Sequence, residues 1–367
     1  MLYKLKDIFD LQMGKTPSRN NIEYWNTNDY KWVSIADLTK TDKYIYDTKE
    51  YLSKKAVNES GIKIIPANTV IMSFKLSIGK TAITAEDMYS NEAIMAFHDK
   101  HIVEILPEYI FYLFKYKNWD DGSNKAVMGK TLNKAILSEV EIDICSIEEQ
   151  RKIVNVLDKI MNLISARKKE LSYLDTFTKA RFVEMFGDMT LARNDWEKLL
   201  LCDVCDVRDG THDSPKYFTE GYPLITSKNV SGGKIDFSDC NLICEEDYNK
   251  INQRSKVDVG DILMPMIGTV GKPVIVDSQK KFAIKNVALI KFRENSAVVN
   301  SFIKVLLESD YFDREVINKV RGGTQKFISL GDIRKLNICL PPIKLQNQFA
   351  AFVNEIDKSK LQKFSAA

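Results

Sequence analysis

Apolar positions along this chain follow two different periods. Short β-branched and aromatic runs, such as Ile64-Ile65, Thr69-Val-Ile-Met72, Ile262-Leu-Met264 and Val274-Ile-Val276, are punctuated by Gly, Pro and Asn and predict strands. Helical patches interrupt them near Glu108–Tyr116 and Val299–Leu307. From Ile147 the period changes. Ile153, Leu157, Ile160, Ile164, Leu171 and Leu174 form a four–three stripe broken only at Arg167, which predicts one amphipathic helix from about 147 to 184. At 1.5 Å per residue it would span about 55 Å, more than one domain needs for its core. Phe349, Val353 and Ile356 begin the same stripe again, before Lys360 interrupts it.

That recurrence is part of a larger one. Leu5-Lys-Asp-Ile-Phe-Asp-Leu-Gln-Met-Gly14 matches Leu201-Cys-Asp-Val-Cys-Asp-Val-Arg-Asp-Gly210 at an offset of 196. Thr69-Val-Ile-Met with Ile78-Gly79-Lys80 matches Asp261-Ile-Leu-Met with Val270-Gly271-Lys272 at 192. Asn91, followed by Ala93-Ile94, is set against Asn286, followed by Ala288-Leu289. Ile147-x-x-Gln150-x-x-Ile153 returns as Ile343-x-x-Gln346-x-x-Phe349. A unit of about 195 residues is too long for a solenoid repeat and predicts two homologous domains. Superposition should bring Gly79 onto Gly271 and Ile142 onto Ile338. The two stripes can pair only if their helices run antiparallel, since the second domain lies between them in sequence. Ile153 to Leu174 would then face Phe349, Val353 and Ile356.

Composition is that of an ordinary globular protein, with 44% hydrophobic and 28% charged residues in 367. No apolar stretch approaches membrane-spanning length, and the first residues lack a signal-peptide pattern, so a cytoplasmic protein is expected. The net charge of +3 is low for a sequence-blind nucleic-acid binder, but its distribution is uneven. Residues 60–85 carry Lys63, Lys75 and Lys80 and no acid, and residues 278–293 hold five bases and no acid. Locally positive loops on a near-neutral body suit phosphate contact at chosen points. Cys202-x-x-Cys205 and Cys240-x-x-x-Cys244 have zinc-like spacing, yet the repeat sets Cys205 opposite Phe9 and Cys244 opposite Leu52, which are apolar slots, so no metal site is expected. Three Gly-Lys-Thr tripeptides fail as phosphate loops, because Phe9, Phe74 and Asn124 stand where the first Gly is required. His98, His101 and His212 have no spaced nucleophile, and no cofactor fingerprint follows a strand. No catalytic constellation is visible.

Several further segments carry a family likeness. They are Gly14-Lys-Thr-Pro17-Ser18 with Tyr24-Trp25 and Trp32-Val-Ser-Ile-Ala-Asp37-Leu38, then Ile78-Gly79-Lys80, then Gly129-Lys-Thr-Leu132 leading to Glu149-Gln150-Arg-Lys-Ile153. Trp196 and Gly210-Thr-His-Asp-Ser-Pro215 open a second series, closed by Arg321-Gly-Gly-Thr-Gln-Lys326 and Pro341-Pro342-Ile-Lys-Leu-Gln346. In this order, and over essentially its whole length, the chain resembles the specificity subunits of type I restriction–modification systems. Copy one departs in having Cys145-Ser146 where copy two has Pro341-Pro342, and the last helix is short.

The resemblance implies an α+β fold. Two homologous mixed α/β target-recognition domains, 1–144 and 191–340, would be joined by a central helix, 145–190, and a C-terminal helix, 341–367, paired as an antiparallel coiled coil. It implies a non-catalytic subunit that reads a split, asymmetric site on double-stranded DNA and docks two modification subunits through the helices. S-adenosylmethionine would be held by those methyltransferase partners and not by this chain, and cleavage would need a restriction subunit.

Polar and basic side chains on loops after strands are the expected contacts, since base edges need paired donors and acceptors while phosphates fix register. They are Lys15, Thr16, Ser18, Arg19, Lys75, Ser77, Lys80, Lys125 and Lys130 in copy one. In copy two they are Thr211, His212, Lys216, Ser227, Lys228, Asn229, Thr269, Lys272, Arg321, Gln325 and Lys326. Gly79 and Gly271 read as turn residues, and Trp25, Trp32 and Trp196 as core anchors. Two alternatives make different demands. A methyltransferase with an unrecognised cofactor site would bind S-adenosylmethionine alone, and a duplicated protein–protein scaffold would not retain DNA.

Overall fold

In a computed structural model of the chain, the first strand of each repeat pairs with the last strand of the same repeat. The structure describes residues 1–25, 27–75, 77–119, 132–189, 196–267, 271–319 and 327–365, which fall into two units, Met1–Ser165 and Ala166–Ala367. The first unit contains β1 (Leu2–Lys4), β2 (Phe9–Met13), β3 (Tyr30–Val33), β4 (Tyr44–Ile45), β5 (Glu50–Leu52), β6 (Val70–Ser73), β7 (Thr81–Thr84), β8 (Tyr89–Ser90), β9 (Ile94–Asp99) and β10 (Glu141–Asp143). Its helices are α1 (Leu5–Ile8), α2 (Ile35–Lys40), α3 (Lys54–Ser60), α4 (Pro107–Tyr116), α5 (Lys134–Glu139) and the first half of α6 (Ile147–Phe186).

The second unit takes the rest of α6 and continues with β11 (Glu197–Leu200), β12 (Asp206–Asp209), β13 (Tyr222–Ile225), β14 (Val230–Ser231), β15 (Lys234–Ile235), β16 (Asn241–Ile243), β17 (Ile262–Pro265), β18 (Val274–Ile275), β19 (Ala283–Ile284), β20 (Val287–Lys291) and β21 (Asn337–Leu340). Its helices are α7 (Leu201–Val204), α8 (Glu245–Ser255), α9 (Asn300–Leu307), α10 (Asp310–Glu315), α11 (Leu330–Arg334) and α12 (Ile343–Ser365).

The sheets correspond strand for strand. The order β2-β9-β6-β7 returns as β12-β20-β17-β18, with β4 added at the edge in unit one. The order β5-β3-β8 returns as β16-β13-β19, each with one antiparallel and one parallel pairing. β1 pairs with β10, placing Tyr3 opposite Ile142, and β11 with β21, placing Leu199 opposite Ile338. Gly79 and Gly271 both have left-handed φ, +87° and +79°, at the same β6–β7 and β17–β18 turns, as the repeat requires.

Two details of the repeat are corrected. Asn91 and Lys285 each donate their backbone N–H to the end of the parallel partner strand, to Val33 O and Ile225 O, so the counterpart of Asn91 is Lys285 and not Asn286. Copy two is one residue shorter just after this point, which sequence similarity of Asn to Asn conceals. Leu52 and Ile243 hold the same register position, opposite Tyr30 and Tyr222, so the apolar slot assigned to Cys244 belongs to its neighbour. Cys205 does sit in the core, only 1% exposed, where burial pushes its thiol up to about 12.

Each long helix is fixed at its start by a buried glutamine. Gln150 Nε2 donates to Glu104 O and Cys145 O at 2.9 and 3.0 Å, while its Oε1 accepts from Leu106 N at 2.9 Å. Gln346 repeats the arrangement on Ala297 O, Pro341 O and Val299 N at 3.0, 2.8 and 2.9 Å. Both side chains are fully buried with their hydrogen bonds made, which is the condition for tolerating an amide in a core.

Helix α6 has 40 residues, about 60 Å. Its beginning belongs to the first core: Ile153, Leu157 and Met161 pack on a group that includes Met72, Phe97, Phe111 and Phe114. Its end belongs to the second: Phe182 and Phe186 pack on Phe302 of α9 and Phe349 of α12, with ring centroids 4.9–5.5 Å apart. Helix α12 runs antiparallel to this end of α6, since Phe352 meets Phe177 and Lys360 Nζ reaches Asp175 at 2.8 Å. The antiparallel pairing is as expected, but its register is not. Phe349 and Phe352 find the aromatic side chains at 177, 182 and 186, while Ile160 and Ile164 stay exposed and Leu171 and Leu174 are half-buried. The stripe missed this because Phe177, Phe182 and Phe186 lie beyond its last counted position, and aromatic rings bury more area than the leucines before them.

Candidate nucleic-acid interface

The sheet register places three loops of the first unit at one end. Met13 closes β2 opposite Met95 near the start of β9, Met72 lies opposite Met95, and Thr81 opens β7 opposite Met72. The loops 14–20, 74–80 and 91–93 therefore leave the sheet side by side. Two further contacts bring the flanks of residues 120–131 to the same place. Trp119 lies against Gly79, where an added Cβ would come within 3.0 Å of its ring, and Leu132 N donates to Phe74 O at 3.2 Å. The second unit repeats this: Ile317 lies against Gly271 and Ile328 N donates to Met266 O at 2.9 Å.

The side chains at this end of unit one are arranged around Glu92. Thr16 donates its hydroxyl to Glu92, which holds that carboxyl below the ordinary range, with Lys75 and Arg19 adding to the effect. Lys15 Nζ donates to Ser60 O at 2.5 Å. Arg19 pairs with Glu50 and lies over Trp25 and Trp32, 3.8 and 4.8 Å from the ring centroids. Ser18 is exposed and accepts the Trp25 indole N–H on its carbonyl. Lys80 Nζ meets Thr39 Oγ1 at 2.5 Å, and Lys75 lies 5.3 Å over Phe74. The carbonyl of Ser77 accepts from Ser73 inside the turn. Trp32, 2% exposed, is a core anchor as expected, with Trp25 packed edge-on against it.

In unit two the same end is built around His212. Its Nδ1 lies 2.7 Å from Asn286 Oδ1 and its Nε2 2.8 Å from Asp209 Oδ2, and Arg254 pairs with the other oxygen of Asp209. Asn286 has φ of +55° and is held at its backbone by Thr211 O, with Ser227 Oγ 3.4 Å from its carbonyl. Lys285 Nζ reaches Ser214 at 2.6 Å. Lys216 and Lys272 are exposed, and Lys228 pairs with Asp239 at 3.2 Å. Asn229 is corrected: it is 3% exposed, with its amide on Asp236 O and Asp239 O and its carbonyl taking Thr226, so it closes its loop and has nothing left for a base. Lys125, Lys130, Thr269, Arg321, Gln325 and Lys326 lie outside the described residues.

The sequence reading passed over Asn286, Asp209 and Arg254 as contributors to this end. Asn286 could have been found, because an Asn immediately before an apolar strand commonly takes the left-handed turn conformation. Arg254 could not, since it comes from α8 in a different part of the repeat.

The chain is thus two copies of one domain, each presenting polar and basic loops at one end of a sheet. The type I restriction modification DNA specificity domain matches the chain twice, at residues 1–173 and 193–364. The chain belongs to that family, whose members carry the DNA specificity of the enzyme and not its catalysis. The MjaIX type I restriction enzyme specificity subunit of Methanocaldococcus jannaschii is 28% identical over 385 residues, spanning 96% of this chain and 85% of that one. The EcoR124I/EcoR124II specificity subunit of Escherichia coli is 27% identical over 159 residues, 42% of this chain and 39% of that one. Among solved structures, the S subunit of a type I system from M. genitalium aligns over all of this chain and 91% of that one, with a TM-score of 0.52 at 14% identity. A chain from a study of complex assembly and conformational transition in a type I R-M system aligns over 100% and 92%, with a TM-score of 0.54 at 16% identity.

Proposed function

We propose that residues 1–144 and 191–340 are two target-recognition domains, each reading one half of a split, asymmetric DNA site. Residues 145–190 and 341–367 then form the spacer on which two methyltransferase subunits and a restriction subunit assemble. The observation that carries this reading is the repeated sheet end. The backbone frame is the same twice, but one copy is organised around Glu92, Thr16 and Arg19 and the other around His212, Asn286 and Asp209. Identical frames with different side chains suit two different half-sites, because sequence is read by side chains at base edges while the frame sets register. The chemistry belongs to the partners, with S-adenosylmethionine on the methyltransferase subunit. No helix among the described residues is long and apolar enough to cross a membrane, and the proposed work on DNA places the complex in the cytoplasm.

The test is to co-express the chain with its methyltransferase partner and map methylated positions on a random DNA library. One bipartite sequence with unlike halves is the expected result. Methylation without sequence preference, or at a palindrome, would sink the reading.

A further inference from the structure

Along the free edge of β2 the first unit has an open groove of about 710 Å³. Five lysines line it, Lys6, Lys15, Lys63, Lys100 and Lys134, against two carboxylates, Asp10 and Glu92. Lys6 shares Glu139 with Lys4, Lys100 reaches Asp10 at 3.4 Å, and Lys15 is on a carbonyl. The ammonium groups of Lys63 and Lys134 are exposed and have no partner among the described residues. Its wall includes His98, whose Nε2 is buried without a hydrogen-bond partner among the described residues. Burial holds that ring toward its neutral form.

The second unit has the same backbone here with a different set of charges. Lys6, Lys15 and Lys134 are replaced at the matched positions by Cys202, Thr211 and Leu330. His98, opposite Asp10, is replaced by Lys291, opposite Asp206. Of the basic groups there, Arg208 pairs with Asp206, Arg254 with Asp209, Lys256 with Asp258 and Lys291 with Asp261 at 2.5 Å, while Arg334, matched to Ser138, lies on the Val207 carbonyl and Arg293, matched to Lys100, is exposed. One frame has thus been kept twice with different charges, and in the first unit Lys63 and Lys134 are open to solvent. Uncompensated positive charge in a groove attracts an anion more strongly than the same charge on a flat surface.

Gly14, Lys15 and Glu92 line both this groove and the reading end, so the two are continuous. The edge strand has five residues, about 17 Å at 3.4 Å each, long enough to follow two or three phosphates of one DNA strand. We propose that the groove beside β2 in the first domain is a sequence-independent DNA-backbone contact, which holds phosphates alongside the bases that the loops read. It rests on the reading of the chain as a DNA specificity subunit and adds an element to it. The first domain would grip DNA through Lys63, Lys100 and Lys134 as well as through its loops.

The test uses the complex with the methyltransferase partner and the variant Lys63→Gln/Lys134→Gln. Binding to the mapped target and to a scrambled duplex is measured across a salt series. Loss of two phosphate contacts should flatten the slope of log K against log salt by about 1.8, at about 0.9 per contact. Both duplexes should lose affinity by a similar factor, on the order of tenfold, with the methylated sequence unchanged. An unchanged slope and affinity overturns the proposal, and so does a loss confined to the target, which would make these lysines base readers. Titration of ATP provides the other arm: saturable binding to the parent that the variant abolishes would assign the groove to a small phosphate compound and overturn the backbone contact. If the double variant melts early, the single variants are read in the same way, each expected to shift the slope by about half as much. Failure of the parent complex to distinguish target from scrambled duplex would instead refute the DNA-reading assignment, so the two failures are separable.

Discussion

Single side chains divide here into those that hold the frame and those that the frame presents. Gln346 belongs to the first kind. Replacing it by Leu keeps the volume but strands Val299 N and the carbonyls of Ala297 and Pro341. Burying unsatisfied groups of this kind costs about 2–3 kcal/mol, so the unfolding midpoint of the second unit in urea should fall while that of the first stays put. His212 belongs to the second kind. It is exposed, yet both ring nitrogens are engaged, by Asn286 and by the buried Asp209. Its replacement by Ala should leave the fold intact and free the Asn286 amide, relaxing sequence preference in one half of the mapped target and leaving the other half strict. Equal loss in both halves would show that His212 acts on stability.

The elements behave differently along one continuous helix. Phe182 touches Phe186, Phe302 and Phe349, and Phe182→Ala should cost about 3–5 kcal/mol by leaving a cavity among rings. Ile160→Ser, on the same helix but 45% exposed, should change stability by less than about 0.5 kcal/mol. Asp158 ties the beginning of α6 to its unit through Lys43 at 2.6 Å and the Tyr112 hydroxyl. Burial raises its carboxyl, but those two bonds outweigh it and bring the group below its ordinary 3.8. A depressed carboxyl stabilises the fold fully above its unfolded value and loses that contribution as pH falls through its folded value. The thermal stability of Asp158→Asn should therefore lie below that of the parent near neutrality, and the gap should close below about pH 4. If it persists in acid, the bond is not the origin. Four residues inserted after Ala166 add about 6 Å to α6 and nearly preserve its phase. The methylated half-sites should be unchanged, with a gap longer by one or two base pairs; altered half-sites at the old gap would show that the helix does not set the spacing.

At the scale of the whole molecule, the duplication was legible because both kinds of evidence for it are local in sequence. Backbone turns such as Gly79 and Gly271 and the buried pair Gln150 and Gln346 survive divergence of everything around them. Register was legible to within a residue or two, and failed at Asn91 because an Asn one place along from Lys285 imitates a match. The antiparallel helices were legible in direction, since the connecting domain forces it, but their contact depends on Phe177, Phe182 and Phe186 meeting Phe349 and Phe352, which a stripe of aliphatic positions does not reveal. Among the described residues, the loops that follow β2 and β6 leave the sheet at one end, as strand order dictates once the sheet is known. The partners of each side chain were not legible: Glu92 under Thr16 and Arg254 under Asp209 come from segments tens of residues away. Nor was the groove beside β2, where lysines from α1, α5 and three loops meet only through folding.

Each repeat is sealed by its own first and last strands, Leu2 against Asp143 and Glu197 against Leu340. The chain therefore comes in and goes out of each domain at one place, and none of the hydrogen bonds in that seam is borrowed from the other copy. A segment covering either repeat, if exchanged for a homologous one, would bring its own seam with it. Change of target then needs no gradual walk through weakened intermediates. Two such cassettes, exchanged independently, would make the repertoire within reach of a lineage grow as the product of the variants for each half.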